Sequence, residues 1–192
     1  MEKVLVIIPT YNEVENIQKV IDLTLKDKAY DILVVDDSSP DGTADLVLEL
    51  IKTHSKQLFL EQRARKEGLG KAYIHGFRWA LENNYDFIFE MDADLSHDPK
   101  ELSTMLDYLK SDYDLVIGSR YIKGINVVNW PLSRILLSYL ASVYVRWISF
   151  MPIKDPTAGF VGYTRTVLEQ LDFNKIKFVG YAFQIEMKFK IW

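Results

Sequence analysis

The regular alternation of short apolar runs with segments of helical periodicity is the feature of this chain that most restricts its fold. The apolar runs predict β-strands at residues 3–8, 31–35, 58–60, 87–91 and 115–117. Between them, apolar residues at helical spacing predict helices around residues 17–25, 46–51, 71–81 and 101–109. Strands that are apolar on both faces and alternate with amphipathic helices form βαβ units around a parallel sheet. The sequence therefore predicts a single α/β domain whose mostly parallel sheet is flanked by helices.

After residue 118 the pattern changes to a long apolar helix, a loop containing Gly and Pro, and further helices up to residue 192. Within the segment 129–153 the only charged residues are Arg134 and Arg146. The segment is almost long enough to span a bilayer, but two arginines and several serines argue against a span. Aromatic residues such as Trp130 and Trp147 are typical of a headgroup boundary. Two interpretations remain, a membrane-contacting segment and a buried core helix.

Charge and cysteine content exclude several classes of function. The net charge of −4 gives the chain no general affinity for nucleic acid. The absence of cysteine excludes disulfides, a thiolate nucleophile and a cysteine-based zinc site. The first residues do not form a signal peptide, since their apolar run is short and no small-residue cleavage site follows. We therefore expect a protein on the cytosolic side of the membrane that has no nucleic-acid partner.

Polar and acidic clusters follow three of the predicted strands, at residues 11–13, 36–37 and 92–94. In open parallel sheets, ligands bind beyond the carboxyl ends of the strands. The position of these clusters therefore predicts one binding site at that edge of the sheet. In the first cluster, Asn12 is predicted to cap the following helix, with Glu15 three residues on.

Asp92 and Asp94 follow the strongly apolar strand 87–91. Residues i and i+2 of an extended segment point to the same side, so the two carboxylates would lie about 7 Å apart. Mg²⁺ typically takes one or two carboxylates and completes its shell with substrate phosphates. The alternative is that both aspartates only end the strand and cap the next helix. The strand context and the neighbouring clusters favour a metal site.

The remaining candidates are four residues that follow three of the predicted strands. The Asp37 carboxylate can accept hydrogen bonds from a base or ribose, although a turn capped by Asp41 would also explain the segment. Tyr11 can pack against a base, and Glu13 lies near a helix start. Arg120 can place its guanidinium on a diphosphate or an acceptor phosphate, or it is an ordinary surface arginine.

These clusters, in their order, resemble the motifs of family-2 glycosyltransferases, and more narrowly of polyprenol- or dolichol-phosphate mannose synthases. The motifs are PTYNE at 9–13, VDDSSPDGT at 35–43, DADLSH at 92–97, GSRY at 118–121, DPTAGF at 155–160 and GYAFQIEM at 180–187. The likeness covers essentially the whole chain. It implies a glycosyltransferase A-type, Rossmann-like fold, GDP-mannose as donor, a polyprenyl monophosphate as acceptor and Mg²⁺ or Mn²⁺ as cofactor. It also implies a peripheral location on the cytoplasmic face of the membrane.

The resemblance also assigns residue roles. The nucleoside would be held by Pro9, Tyr11, Glu13, Val35 and Asp37. Asp92 and Ala93 would face the donor, and Asp94 would ligate the metal together with the neighbouring Asp92 carboxylate. Arg120 would face phosphate, so that Asp92, Asp94 and Arg120 form the catalytic set.

The chain departs from the resembled family at its end. Members continue beyond the position of Trp192 with a further strand and a basic loop that closes over the phosphates. We therefore expect residues 1–192 to be a glycosyltransferase catalytic domain truncated at its C-terminus, with 129–153 as a membrane-contacting segment within it. Two alternatives stay open: a related transferase with another sugar or acceptor, and an inactive nucleotide-sugar-binding module.

Overall fold

A computed structural model describes residues 2–27, 29–121 and 132–192, which form a six-stranded sheet covered by helices on both faces. The strands are β1 Val4–Thr10, β2 Asp31–Asp36, β3 Leu58–Gln62, β4 Phe87–Glu90, β5 Leu115–Ile117 and β6 Val161–Thr164. The helices are α1 Ile17–Thr24, α2 Thr43–Thr53, α3 Leu69–Glu82, α4 Glu101–Lys110, α5 Leu132–Ser149, α6 Arg165–Glu169 and α7 Ala182–Ile191, with a short 3₁₀ turn at Phe173–Lys175. The predicted single α/β domain is confirmed.

The strand order is β3-β2-β1-β4-β6-β5. β1, β2, β3 and β4 are parallel, as predicted, whereas β6 runs antiparallel to both of its neighbours, β4 and β5. β6 is an element that the sequence pattern missed, because helices were expected throughout this region. Its four residues are too few to show a period of two, and a short apolar run does not by itself distinguish strand from helix.

Successive residues of β1 enter two different cores, because side chains alternate across a strand. Val4, Val6 and Ile8 lie in a cluster covered by α1, α2 and α4. Leu5 and Ile7 lie in the opposite cluster, covered by α3, α6 and α7. All five of these side chains are almost fully buried, so β1 is the centre of the domain and its carboxyl end is held rigidly.

The start of α1 differs from the prediction. Asn12 does not cap the helix, which begins at Ile17 after Asn16. Asn12 instead adopts a left-handed conformation with φ 64°, which asparagine tolerates better than most residues. Its backbone N–H donates to the Ser39 hydroxyl oxygen at 3.0 Å. The segment after β1 is therefore tied to the loop after β2 rather than wound into the helix.

Helix α5 is present, and its apolar side chains face outward. Leu137 is 70% exposed, Trp147 is 75% exposed, and Phe150 just beyond the helix is 82% exposed. These exposures contradict the interpretation of a buried core helix, while Trp130 lies outside the described residues. Among the helices that the structure describes, none combines the length and apolar character needed to cross a bilayer.

Candidate functional site

A cavity of about 390 Å³ opens where β1, β2 and β4 end, within the size range of small-molecule sites. It is lined by Pro9, Thr10, Tyr11, Glu13, Asp37, Lys66, Gly68, Leu69, Ala72, Asp92, Ala93, Asp94, Gly180 and Tyr181. The three clusters singled out in the sequence therefore meet in one cleft. The parallel alignment of the three strands explains this convergence, because it brings their carboxyl ends to one edge.

Seven of the nine predicted site residues line the cleft: Pro9, Tyr11, Glu13, Asp37, Asp92, Ala93 and Asp94. The other two do not. The Val35 side chain is fully buried in the core beside Leu33. Arg120 lies at the end of β5, where Asp155 binds it. Their predicted contacts with a nucleoside and a phosphate remain predictions.

The wall formed by the β1 and β2 loops is held by one buried and one partly buried hydrogen bond. The Thr10 hydroxyl donates to the Asp36 carboxylate at 2.9 Å, and the Glu13 backbone N–H donates to the Thr43 hydroxyl oxygen at 3.0 Å. The Tyr11 ring is left 38% exposed at the cleft. The Lys66 ammonium lies 3.8 Å from the centre of that ring, a cation–π contact.

Asp37 forms a buried charged wall of the cleft. Its side chain is only 7% exposed and lies 3.3 Å from the Arg63 guanidinium. The two groups are at ion-pair distance but not aligned for a hydrogen bond, and the facing Asp37 Oδ1 has no hydrogen-bond partner within the described residues. Burial raises the pKa of Asp37, against the opposing charge of Arg63. Because Asp37 lines the cleft, its carboxylate can accept a hydrogen bond from a ligand there.

The acidic side chains of the cleft act on one another. Burial raises the pKa of Glu13 and a hydrogen bond from Asn16 opposes the shift, while the charges of Asp94 and Asp92 add to it. The Asp94 carboxylate accepts the Ser96 backbone N–H at 2.9 Å and remains at the cleft. A concentration of negative charge of this kind favours a bound cation.

Asp92 is oriented by its neighbours. The Tyr73 hydroxyl donates to Asp92 Oδ1 at 3.2 Å, and His97 Nε2 lies 3.5 Å from Asp92 Oδ2. The His97 ring is itself stacked on Phe160, with 5.0 Å between the ring centres. Gly159 lies directly against the Asp92 carboxylate, since a Cβ at this position would be 3.2 Å from Asp92 Oδ2.

The residues present fit a divalent metal that is shared with a ligand. In the described part of the chain, no three His, Cys, Asp or Glu side chains form a complete metal cage. Mg²⁺ and similar hard cations often use only one or two protein carboxylates and take their remaining ligands from phosphates and water. Asp92 and Asp94, both at the cleft, provide that partial set.

Arg120 forms a two-pronged ion pair with the buried Asp155. Its Nε donates to Asp155 Oδ2 at 2.9 Å, its Nη2 donates to Oδ1 at 2.6 Å, and its backbone N–H donates to Oδ2 at 3.0 Å. Thr157 and Ser142 also lie within hydrogen-bonding reach of these groups. The guanidinium is therefore held in one orientation, which excludes the interpretation of an ordinary surface arginine.

Sequence reasoning missed several residues of this region. Lys66 and Gly68 line the cleft but belong to a loop without a distinctive pattern of its own, whereas Tyr181 lies in the GYAFQIEM motif and had no role assigned to it. Gly68 has φ 101° and lies against Val179, whose carbonyl oxygen would be 2.7 Å from a Cβ, so only glycine fits. The signal that could identify this loop is the GxG at 68–70, whose first glycine immediately precedes α3.

The chain is similar in sequence to a known protein family and to several of its relatives. The family model described as glycosyl transferase family 2 matches residues 5–172. The chain is 44% identical over 190 residues to a polyprenol monophosphomannose synthase of Mycolicibacterium smegmatis, covering 98% of this chain and 72% of that protein. It is 43% identical over 190 residues to an undecaprenyl-phosphate mannosyltransferase of Micrococcus luteus, covering 98% of this chain and 77% of that protein.

A solved structure shares the fold. It is mannosyltransferase PcManGT from Pyrobaculum calidifontis in complex with GDP-Man and Mn²⁺, with a TM-score of 0.58 and 22% identity. The match covers 88% of this chain, which spans less than half, 46%, of the solved one.

Proposed function

Because the chain belongs to glycosyl transferase family 2, it is a glycosyltransferase, and we propose that it transfers mannose from GDP-mannose to a polyprenyl monophosphate. The observation that carries the proposal is the convergence of Asp37, Glu13, Asp92 and Asp94 on one cleft at the carboxyl edge of the sheet. The relatives named as lipid-phosphate mannosyltransferases supply the sugar and the acceptor class.

The charge of the cleft supports a metal-dependent donor site. Four acidic side chains and a single lysine line it, so the diphosphate of a nucleotide sugar would meet net repulsion without a cation. Mg²⁺ or Mn²⁺ held by Asp92 and Asp94 would neutralise charge that builds up on the departing diphosphate. The similar fold solved with GDP-Man and Mn²⁺ agrees with this choice of donor and ion.

The protein residues would bind and orient the donor. Tyr11, which Lys66 contacts, offers a partly exposed ring against which a base can stack, and the Asp37 carboxylate at the cleft can accept hydrogen bonds from the nucleoside. Arg120, fixed by Asp155, would place its charge toward a phosphate group. A phosphate acceptor is already ionised near pH 7, so no strong general base is required, and we expect single displacement with inversion at the sugar carbon.

The exposed face of α5 supports a lipid acceptor. Leu137, Tyr144 and Trp147 are each more than half exposed on this helix. Aromatic and aliphatic side chains of this kind lie in the headgroup region of peripheral proteins. We propose that α5 rests on the cytoplasmic face of a membrane, where the polyprenyl chain is held.

A radiolabel assay tests the proposal. The chain is incubated with GDP-mannose labelled in the sugar, polyprenyl phosphate in vesicles, and Mg²⁺, Mn²⁺ or EDTA, and lipid-extractable label is counted. We expect product with metal, none with EDTA, and a large loss for Asp94→Asn. Asp98→Asn is the matched control, because Asp98 is an exposed residue of the same loop that does not line the cleft.

Two outcomes would redirect the proposal. Shifts in thermal midpoint separate donors, since a ligand at 100 times its Kd stabilises by about 2.7 kcal/mol. A larger shift with UDP than with GDP would point to a different donor. Binding of GDP without lipid product at any metal would show a nucleotide-sugar-binding module rather than an active transferase.

A further inference from the structure

Helix α7 places a lysine and a glutamine, one turn apart, in the interior of the domain. Lys188 is 0% exposed and Gln184 is 3% exposed. The Lys188 ammonium donates to the Ala158 carbonyl oxygen at 2.7 Å, to Gln184 Oε1 at 3.1 Å and to the Gln184 carbonyl oxygen at 3.2 Å. All three of its donors are thus engaged, as a buried ammonium requires.

The buried counter-charge is Glu90, the last residue of β4. Tyr163 donates its hydroxyl to Glu90 Oε1 at 3.1 Å, and the Gln184 side-chain amide donates to Oε2. Burial raises the pKa of Glu90 and lowers that of Lys188, and the charge of each opposes the shift of the other. Neither residue lines the cleft, so the proposed chemistry leaves this costly buried pair unexplained.

The network reaches the proposed site by two routes. Ala158 belongs to the loop between Asp155, which holds Arg120, and Gly159, which abuts the Asp92 carboxylate. Glu90 lies two residues before Asp92 on the same chain segment. Lys188 therefore binds, directly or through Gln184, the two backbone segments that determine where Asp92 and Arg120 stand.

Helix α7 also supports Asp92 through an aromatic pair. Phe183 stacks on Tyr73 with 6.0 Å between ring centres and 6° between planes, and the Tyr73 hydroxyl donates to Asp92. The DPTAGF motif and the part of the GYAFQIEM motif that lies beyond Gly180 and Tyr181 do not line the cleft, and they meet behind Asp92.

We propose that Lys188 is a positioning residue for the metal and donor site, an inference that rests on the proposed function. It fixes the 155–159 loop against the tip of β4 and so sets the position of Asp92 relative to Arg120. Groups that orient metal ligands from behind typically change metal affinity about 10- to 100-fold when they are removed.

The test uses the 192-residue chain and Mn²⁺ binding measured by electron paramagnetic resonance in the presence of GDP. For Lys188→Met we expect the Mn²⁺ dissociation constant to rise about 10- to 100-fold at a temperature where the variant is fully folded. Lys190→Met is the matched control. Lys190 is exposed on the same helix, and its 3.8 Å ion pair with Glu186 is a contact within that helix. Its dissociation constant should stay within about twofold of the unmodified chain.

A second variant separates positioning from stability. Glu90→Gln combined with Lys188→Met removes both buried charges, so the thermal midpoint should recover toward that of the unmodified chain. The Ala158 carbonyl oxygen still lacks its hydrogen bond from the Lys188 ammonium in this double variant. If Lys188 positions the site, Mn²⁺ affinity remains weak in this double variant. The double variant also provides the test if Lys188→Met alone does not fold. Full recovery of affinity, or no loss in a folded Lys188→Met chain, would overturn the inference alone. An unmodified chain that fails to bind Mn²⁺ with GDP would overturn the proposed function and the inference together.

Discussion

Replacing Asp155 by asparagine should be one of the most damaging isosteric changes in this protein. Asp155 is 1% exposed and accepts two side-chain hydrogen bonds and one backbone hydrogen bond from Arg120, at 2.6 to 3.0 Å. Asparagine keeps the shape but removes the charge and turns one acceptor into an N–H donor that faces another donor. The Arg120 guanidinium, 11% exposed, would then lose the carboxylate that its Nε and Nη2 bind.

The magnitude follows from that burial. Removing one partner of a buried ion pair costs about 3–5 kcal/mol, because the other charge stays desolvated. At about 2–4 °C per kcal/mol for a domain of this size, the thermal midpoint should fall by roughly 6–20 °C near pH 7. The surface pair of Arg165 and Glu169, where Glu169 is 48% exposed, gives the control. Glu169→Gln should cost no more than about 1 kcal/mol.

The same argument fixes the pH dependence. Burial alone would raise the pKa of Asp155, but the hydrogen bonds and charge of Arg120 outweigh it and hold the pKa below the ordinary 3.8. A depressed folded-state pKa contributes stability that is fully present above the unfolded-state value and is lost as pH falls through the folded value. The gap between the unmodified chain and Asp155→Asn should therefore be constant at neutral pH and close in acid.

Urea denaturation followed by circular dichroism, repeated from neutral pH downward, measures both quantities. A cost near that of Glu169→Gln, or a gap that stays constant far below pH 3.8, would refute the reasoning from burial and charge.

Three further changes test other parts of the structure. Phe77→Ala should cost about 3–5 kcal/mol in urea denaturation, because the fully buried ring packs on Tyr163 and Phe173; a cost below about 1 kcal/mol would contradict the core described. Thr164→Ala should cost about 1 kcal/mol in the same assay, since Thr164 caps α6, and an unaltered midpoint would contradict that cap. Trp147→Ser should reduce co-sedimentation with anionic vesicles without lowering the thermal midpoint, whereas undiminished binding would argue against α5 as the membrane face.

The parallel half of the fold was accessible from sequence, because β1 to β4 contain short apolar runs that are separated by amphipathic helices. The cleft was accessible for the same reason: chain order places each acidic cluster at a strand end, and parallel strands share one carboxyl edge.

What the sequence did not reveal depends on long-range contacts. Arg120 was recognised, but its partner Asp155 lies 35 residues away and no local pattern links the two. β6 is paired on both sides by strands from earlier in the chain, so its conformation is set by tertiary contacts. Asn12 is a residue type that commonly caps helices, yet the hydrogen bond from its backbone N–H to Ser39 ties it to the loop after β2.

The attachment of α5 has a mechanical consequence. Ser142, 1% exposed on a helix whose other side faces outward, lies 3.3 Å from Thr157 and also approaches Asp155. The carboxylate that orients Arg120 is thus also an anchor point of the outward-facing helix. With α5 resting on a lipid surface, the guanidinium would stand at a fixed height above that surface. Arg120 would then reach only those phosphate groups that lie at the depth of a lipid headgroup.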